Sequence, residues 1–513
     1  MTKVNSITLA NEVEKKKSFA EVLSYRAKRD PKKIFLIYKN RNWTYEEFNE
    51  NVNQCCHYFK KLKLKRGDIV SVILKNKVDF LIIYFSCMRM KLIVNPFPMT
   101  VSVDELIKKI KNCKAKIVFC EKSYYATLQK KRIPCIDVEN INKKSLLQEI
   151  APYSKKFNEV KLKTENDIAV LYYSSGTTGS PKLIEYTHKS IIKTQASMTR
   201  AGFTNYNSTH LCILPLGHTA SLRYSIKQCI STSSTVVLYE SFWKIRSNIW
   251  KEIEKYEANF MQVVPSILEV ILNTPYTDFN KSMIKSVRFI GCGSSFLSSK
   301  TQEKFEKKFG IALSNLYGLS ELGATHFDNP GDKNRKKGSI GKPFDIVKTI
   351  IIDKNGKEVN NTVIGEIAIS TPGLLKNYRN NKKLYKNCFI KNFFKTGDLG
   401  FKDNNGYFYY VDRKKDIIIK GGVNIIPSQI DNILINHPKI IECATIGIPD
   451  PLFGETIKSF IVTKKNTSIP TDELSKYVEK KIGKFKTPSS FVHLKSLPRN
   501  ASGKILKREL REF

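Results

Sequence analysis

The chain has 513 residues, 41% hydrophobic and 11% aromatic, and 87 Lys+Arg against 47 Asp+Glu give it a formal net charge of +40. That length exceeds one compact core, so a large N-terminal unit with at least one smaller domain is expected, and the composition is that of a globular protein. The longest apolar runs, such as Phe80–Phe85 and Ile417–Ile419, are too short to cross a bilayer, and residues 1–17 lack the apolar stretch of a signal peptide. A cytoplasmic protein with no transmembrane segment is expected, with peripheral membrane contact left open. The 11 cysteines are scattered, with no C-x-x-C, which argues against a zinc site and a disulfide framework and for reduced thiols. The basic excess is mostly lysine spread along the whole chain. It forms no stripe interleaved with aromatics, so no nucleic-acid partner is expected, although small anions or an acidic partner would be attracted.

From Phe35 to about Ile311, short β-rich runs alternate with amphipathic stretches. Asp68–Leu74, Lys116–Cys120, Ile168–Tyr173, Thr235–Tyr239 and Val287–Gly291 are the expected strands of an α/β unit with largely parallel sheets. After about Lys337 the texture changes to shorter strands and turns, at Lys348–Asp353, Gly365–Ser370 and Gly406–Val411, which suits a small antiparallel or barrel-like subdomain. The charged run Asp412–Asp416 then interrupts the pattern. Beyond it, Pro427 opens a helix whose Ile430, Ile433 and Leu434 share a face, followed by strands near Ile440–Ile446 and Lys458–Thr463 and a helix at Asp472–Lys481. The fold class read from this is α/β: an N-terminal domain over residues 1–411 comprising α/β sheets and the small subdomain, a hinge at 412–416, and a small α+β C-terminal domain over 417–513.

The strongest local signal is the loop Ser174-Ser175-Gly176-Thr177-Thr178-Gly179-Ser180-Pro181-Lys182, directly after the strand ending at Tyr173. Its glycines let the backbone wrap an anion, its hydroxyls can donate to phosphate oxygens, and Lys182 adds a positive charge. It is not a Walker A loop, and Gly291-Cys292-Gly293 lacks the third glycine of a dinucleotide fingerprint.

With this loop, the chain resembles the acyl-adenylate-forming superfamily of acyl-CoA synthetases, peptide-synthetase adenylation domains and firefly-type luciferases. The resemblance also rests on Leu214–His218, Gly293–Ser295, Tyr317–Glu321, Gly365-Glu366, Lys395–Asp398, Asp412–Asp416, Gly421–Asn424 and Leu497–Lys504, in the family's order and spacing from about Phe19 to Leu510. It implies that Thr177, Thr178 and nearby amides grip the β- and γ-phosphates of ATP, and that Glu321 holds Mg2+. Ser320 would contact the α-phosphate. Tyr317 and Gly318 would face adenine, with Gly293, Ser294 and Ser295 as the opposite wall of its slot. Asp398 would bind the ribose hydroxyls with Arg413 beside it, and Lys504 would bridge the substrate carboxylate and the α-phosphate.

The same resemblance implies two half-reactions, with the C-terminal domain mobile about a pivot at Lys415. It offers first Lys504 and then a face at Lys420, Gly421 and Gly422 that approaches the pantetheine channel. The acyl acceptor would be coenzyme A, or alternatively the phosphopantetheine of an acyl carrier protein loaded by a stand-alone ligase. A basic binding protein on an inactive adenylation scaffold is the remaining reading, opposed by the joint retention of Glu321, Asp398 and Lys504. His218 marks the acid-binding side. Amino-acid-activating relatives place an Asp shortly after this point, but Thr219–Leu222 has no carboxylate, so an aliphatic or aryl acid is expected. Three positions depart from the family pattern: Leu183 follows the phosphate-loop lysine, Gln429 stands where an acid is usual, and Asp412-Arg413 replaces Gly-Arg. His188 and His210 have no expected role.

Overall fold

The computed structural model describes residues 5–173, 182–464, 467–499 and 505–513. The chain parts into two compact units. One comprises Met1–Arg335, Pro343–Lys348 and Thr371–Asn387, and the other Lys336–Lys342, Thr349–Ser370 and Cys388–Phe513.

The first unit holds two large sheets. One runs from Arg41–Thr44 through Ile34–Tyr38, Thr235–Leu238, Thr209–Cys212, Phe260–Val263, Phe289–Gly293 and Leu313–Leu319 to Gly323–Phe327. The pairings from Ile34–Tyr38 to Leu313–Leu319 are parallel, whereas Arg41–Thr44 pairs antiparallel with Ile34–Tyr38 and Gly323–Phe327 antiparallel with Leu313–Leu319. The other sheet is seven-stranded, in the order Asn377–Tyr378, Leu183–Thr187, Ile168–Tyr173, Ile93–Pro96, Ile69–Ile73, Ile117–Cys120, Cys135–Asp137. Strands such as Ile69–Ile73 are buried along their whole length, as expected where both faces of a parallel sheet are covered. The helix Val78–Met90, which includes the apolar run Phe80–Phe85, is buried on all sides and packs as an internal rod.

The parallel sheets expected of this region are observed, and the strand Ile168–Tyr173 begins and ends where the sequence places it. The hairpin it forms with Leu183–Thr187 pairs Tyr173 directly with Leu183. Leu183, the departure from the family pattern, is therefore a buried strand residue.

The second unit contains two smaller sheets. In the first, Lys348–Ile352, Gly365–Ser370, Phe393–Lys402 and Phe389–Ile390 lie side by side, and Phe408–Arg413 pairs with Phe393–Lys402. In the second, Val423–Ile425, Ile418–Lys420, Gly454–Thr463 and Ile440–Asp450 lie in that order, with Ser490–His493 parallel to Gly454–Thr463. The helix Pro427–Leu434 starts with Pro at its first turn, as expected, and buries Ile430 and Leu434 against Ile418, Ile425, Ile457 and Ile461. The long hairpin exceeds the sequence estimate because its strands continue through Pro449 to Asp450 and back from Gly454. Pro449 is tolerated because Ile440–Asp450 is an edge strand, where a missing donor leaves no gap in a ladder.

Candidate active site

In the first unit, several expected site residues lie at the carboxyl ends of neighbouring parallel strands, where open α/β sheets bind ligands. Gly293 ends Phe289–Gly293 and is in register with Leu316, next to Tyr317 on the adjacent strand. Ser294 follows with φ 68°, a left-handed conformation uncommon for a residue with a side chain, and Ser295 continues the turn. The Tyr317 ring is half-buried and packs edge-on against His326 at 5.5 Å. Gly318 is required by its surroundings, because a Cβ there would lie 2.1 Å from the Gly323 carbonyl oxygen. The chain can therefore turn tightly between Leu313–Leu319 and Gly323–Phe327, and this turn presents Ser320 and Glu321.

Three tethers fix that turn. The Tyr186 hydroxyl donates to the Ser320 carbonyl at 2.7 Å, and the Leu375 amide donates to the Glu321 carbonyl at 2.7 Å. The Tyr378 hydroxyl donates to the Glu321 carboxylate at 3.1 Å. Burial raises the Tyr186 phenol above its ordinary pKa, so it stays a neutral donor. Lys182 lies with its ammonium 5.0 Å from the centre of the Tyr378 ring, at the same corner. Glu321 thus brings a carboxylate of the type hard divalent cations take, and one such ligand beside nucleotide phosphates is the usual way Mg2+ is held.

His218 is half-buried immediately before the helical stretch Thr219–Thr232, which widens into a π-turn over Leu222–Lys227. Ser174, Ser175, Gly176, Thr177, Thr178 and Gly179 of the phosphate loop, and Lys504, lie outside the described residues. His188 and His210 are buried, and burial drives both pKa values down to about 3, so they are neutral core residues.

In the second unit, Asp398 and Arg413 are cross-strand neighbours, with Arg413 Nε 2.5 Å from an Asp398 carboxylate oxygen. Asp398 is buried and its amide donates to the Thr396 hydroxyl at 3.1 Å. Beside it, Glu366 accepts from the Gly397 amide at 3.0 Å and from Lys414 at 2.8 Å. The expected hinge 412–416 is the end of a strand followed by a single 3-10 turn, Lys414–Asp416, on which Lys415 is exposed. The Asp412 carboxylate accepts from the Ser428 amide at 2.8 Å, which anchors the start of the helix Pro427–Leu434. Lys420 is buried, with its ammonium donating to the Phe485 carbonyl at 2.9 Å and lying near the rings of Phe485 and Phe453. Gly421 and Gly422 have φ of +52° and +78°, a left-handed turn that favours glycine, and both are exposed.

Four residues that sequence reasoning missed belong to the picture in the first unit. Tyr186 and Tyr378 hold the Ser320–Glu321 turn, and Arg223 and Lys227 lie buried on the π-turn that follows His218. The tyrosines carry no local pattern. The pair of cations, one helical turn apart, has the spacing of a solvated helix face, and only their burial marks them.

Residues 23–379 match the model of the AMP-binding enzyme family, and residues 429–504 match that of the AMP-binding enzyme C-terminal domain. The chain belongs to the AMP-binding enzyme family. It is 29% identical over 505 residues to a crotonobetaine/carnitine–CoA ligase of Proteus mirabilis, covering 93% of this chain and 96% of that one. It is 31% identical over 344 residues to a sulfoacetate–CoA ligase of Cupriavidus necator, covering 67% and 66% of the two chains. Among solved structures, ATP-bound MatB from Rhodopseudomonas palustris superposes with a TM-score of 0.90 at 25% identity, over 96% of this chain and 98% of that one. Together these define an acyl-CoA synthetase-like member of the acyl-adenylate-forming superfamily, an AMP-forming acid–CoA ligase that uses ATP. Among the described residues, no helix is long and apolar enough to cross a membrane.

Proposed function

We propose that this ligase activates a small aliphatic or aryl carboxylic acid, not an amino acid, and passes the acyl group to the thiol of coenzyme A in the cytoplasm. The supporting observation is the anchored Ser320–Glu321 turn, which Tyr186, Tyr378 and Leu375 hold in one position. In the first step a carboxylate oxygen of the acid attacks the α-phosphorus of ATP and pyrophosphate leaves. Thr177, Thr178 and Lys182 steady the departing phosphates, Ser320 contacts the α-phosphate, and Lys504 neutralises charge on the attacked centre. Glu321 would hold Mg2+, which would supply positive charge against the phosphates. Tyr317 and Gly293–Ser295 enclose adenine, and Asp398 with Arg413 takes the ribose hydroxyls.

In the second step the thiol attacks the acyl carbon, AMP leaves, and the thiol proton passes to solvent. Residues 417–513 turn about Lys415 between the steps, so that the Lys420–Gly422 face replaces Lys504. Exclusion of amino acids follows from charge. The helix after His218 has no carboxylate over Thr219–Lys227 and instead carries Arg223 and Lys227, which would repel an ammonium group.

The test is pyrophosphate–ATP exchange across fatty, aryl and amino acids, followed by addition of coenzyme A or a phosphopantetheinylated carrier. Exchange with an acid lacking an amino group, and thioester only with coenzyme A, is expected. Lys504→Ala should slow exchange by roughly 100-fold or more, the scale of one transition-state electrostatic contact. Exchange driven by amino acids alone, or unaltered in Lys504→Ala, would refute the reading.

A further inference from the structure

Arg223 and Lys227 lie on one π-turn of the helical stretch Thr219–Thr232, only 9% and 5% exposed. A π-turn inside an α-helix is a local widening that recurs at functional sites. Among the described residues neither cation has an acidic partner, and the groups around them are phenols. The Lys227 ammonium is 6.0 Å from the Tyr84 ring centre and the Arg223 guanidinium 6.0 Å from that of Tyr224. Both distances are at the outer limit of a useful cation–π contact.

The charge of Arg223 also reaches Tyr84, Tyr172, Tyr186 and Lys227. The hydroxyls of Tyr84 and Tyr172, close to each other, are buried without a hydrogen-bond partner of ordinary geometry. Two like charges in one buried place with no acidic partner among the described residues are costly unless an anion completes them. Burial, with Arg223 adding repulsion, already brings the Lys227 ammonium down to a pKa of about 7, and a bound anion would restore its charge. Among the described residues no carboxylate pairs with either cation, and Glu321, whose charge reaches Tyr186, already accepts from Tyr378.

Tyr186 gives the cluster its place in the reaction. The charge of Arg223 acts on the Tyr186 phenol, whose hydroxyl donates to the Ser320 carbonyl at 2.7 Å. The cations are therefore one tyrosine away from the turn at which the acid is activated, on the helix that follows His218. We propose that Arg223 and Lys227 are the receptor for a second anionic group, a carboxylate or sulfonate, at the far end of the acid this ligase activates. The inference rests on the acid-activating reading above. It narrows that reading from a plain aliphatic or aryl acid to one with an anionic tail.

The experiment uses the full-length protein and matched acids, succinate against butyrate and glutarate against valerate, with oxalate and adipate setting the length limits. Pyrophosphate exchange and calorimetric binding are measured on the wild type, Arg223→Gln and Lys227→Met. The wild type is expected to favour the diacid of at least one pair by about tenfold or more in exchange. Each substitution should cut that diacid-to-monoacid ratio by about 100-fold, the scale of removing one buried charged partner. Monoacids favoured in every pair, or a ratio unmoved in both variants, would overturn the proposal. Should no acid drive exchange, the activation reading fails, and calorimetry still decides the receptor. Diacid binding that both substitutions abolish supports it, and no diacid binding to the wild type overturns it. If Lys227→Met does not fold, Arg223→Gln, which keeps polar donors and removes only the charge, carries the same test.

Discussion

Two kinds of buried basic side chain occur in the first unit. Arg26 and Arg89 are 0% and 1% exposed, yet both are saturated with acceptors. Arg26 pairs with Glu12 and donates to the carbonyls of Ile230 and Ser231, closing the C-terminal end of the helical stretch Thr219–Thr232. Arg89 donates to Asn53, to Asn49 at 2.8 Å and to Ser24 at 2.8 Å, tying three helices together. Arg223 and Lys227 occupy the same helical stretch that Arg26 caps but are surrounded by phenols. The difference separates roles that burial alone cannot. A buried cation with its acceptors present is part of the scaffold, whereas a buried cation without them is prepared for a ligand.

The sharpest way to break this comparison is to remove a cation of each kind. Lys227 is held near pKa 7 against an ordinary 10.5, so in the ligand-free protein its charged form is disfavoured by folding. A depressed lysine binds fewer protons folded than unfolded, so its contribution to stability rises between about pH 7 and pH 10.5. Lys227→Met should therefore raise ligand-free stability at pH 7, by up to about 4 kcal/mol, and flatten that pH dependence. Denaturant unfolding at pH 7 and pH 9 checks both points, and a destabilised Lys227→Met would place Lys227 with the scaffold. Arg89→Ala should act in the opposite sense, costing roughly 3 kcal/mol through its orphaned acceptors and the space left behind. Its diacid-to-monoacid preference should match wild type, measured as relative exchange rates. At the small end, Lys189 forms an exposed pair with Glu165, and Lys189→Ala should move stability by less than about 0.5 kcal/mol.

Much of the fold was legible because its signals are local. Gly365–Ser370 and Ile168–Tyr173 are strands over the residues expected, and Pro427 opens its helix. The hairpin at Ile440–Asp450 and Gly454–Thr463 outran expectation because cross-strand pairing carried a proline and a glycine that would end an isolated strand. Ser320, Glu321, Asp398 and Arg413 drew notice as candidates because each stands inside a compact motif. Tyr186 and Tyr378 did not, since they reach Ser320 and Glu321 across 134 and 57 residues of sequence. Arg223 and Lys227 look in sequence like the wet side of an amphipathic helix. Only packing shows that Leu222–Thr232 is buried all round and has no wet side.

The claim that the two cations await an anion is most directly tested by following the protonation of Lys227 itself. In protein labelled at lysine Cε, its NMR signal is assigned by its absence from Lys227→Met and titrated with and without a saturating dianionic acid. The account predicts a midpoint near pH 7 in the free protein that moves up by about two units or more when the diacid binds, and that stays put with the matched monoacid. A signal that ignores the diacid, or responds equally to both acids, would contradict it.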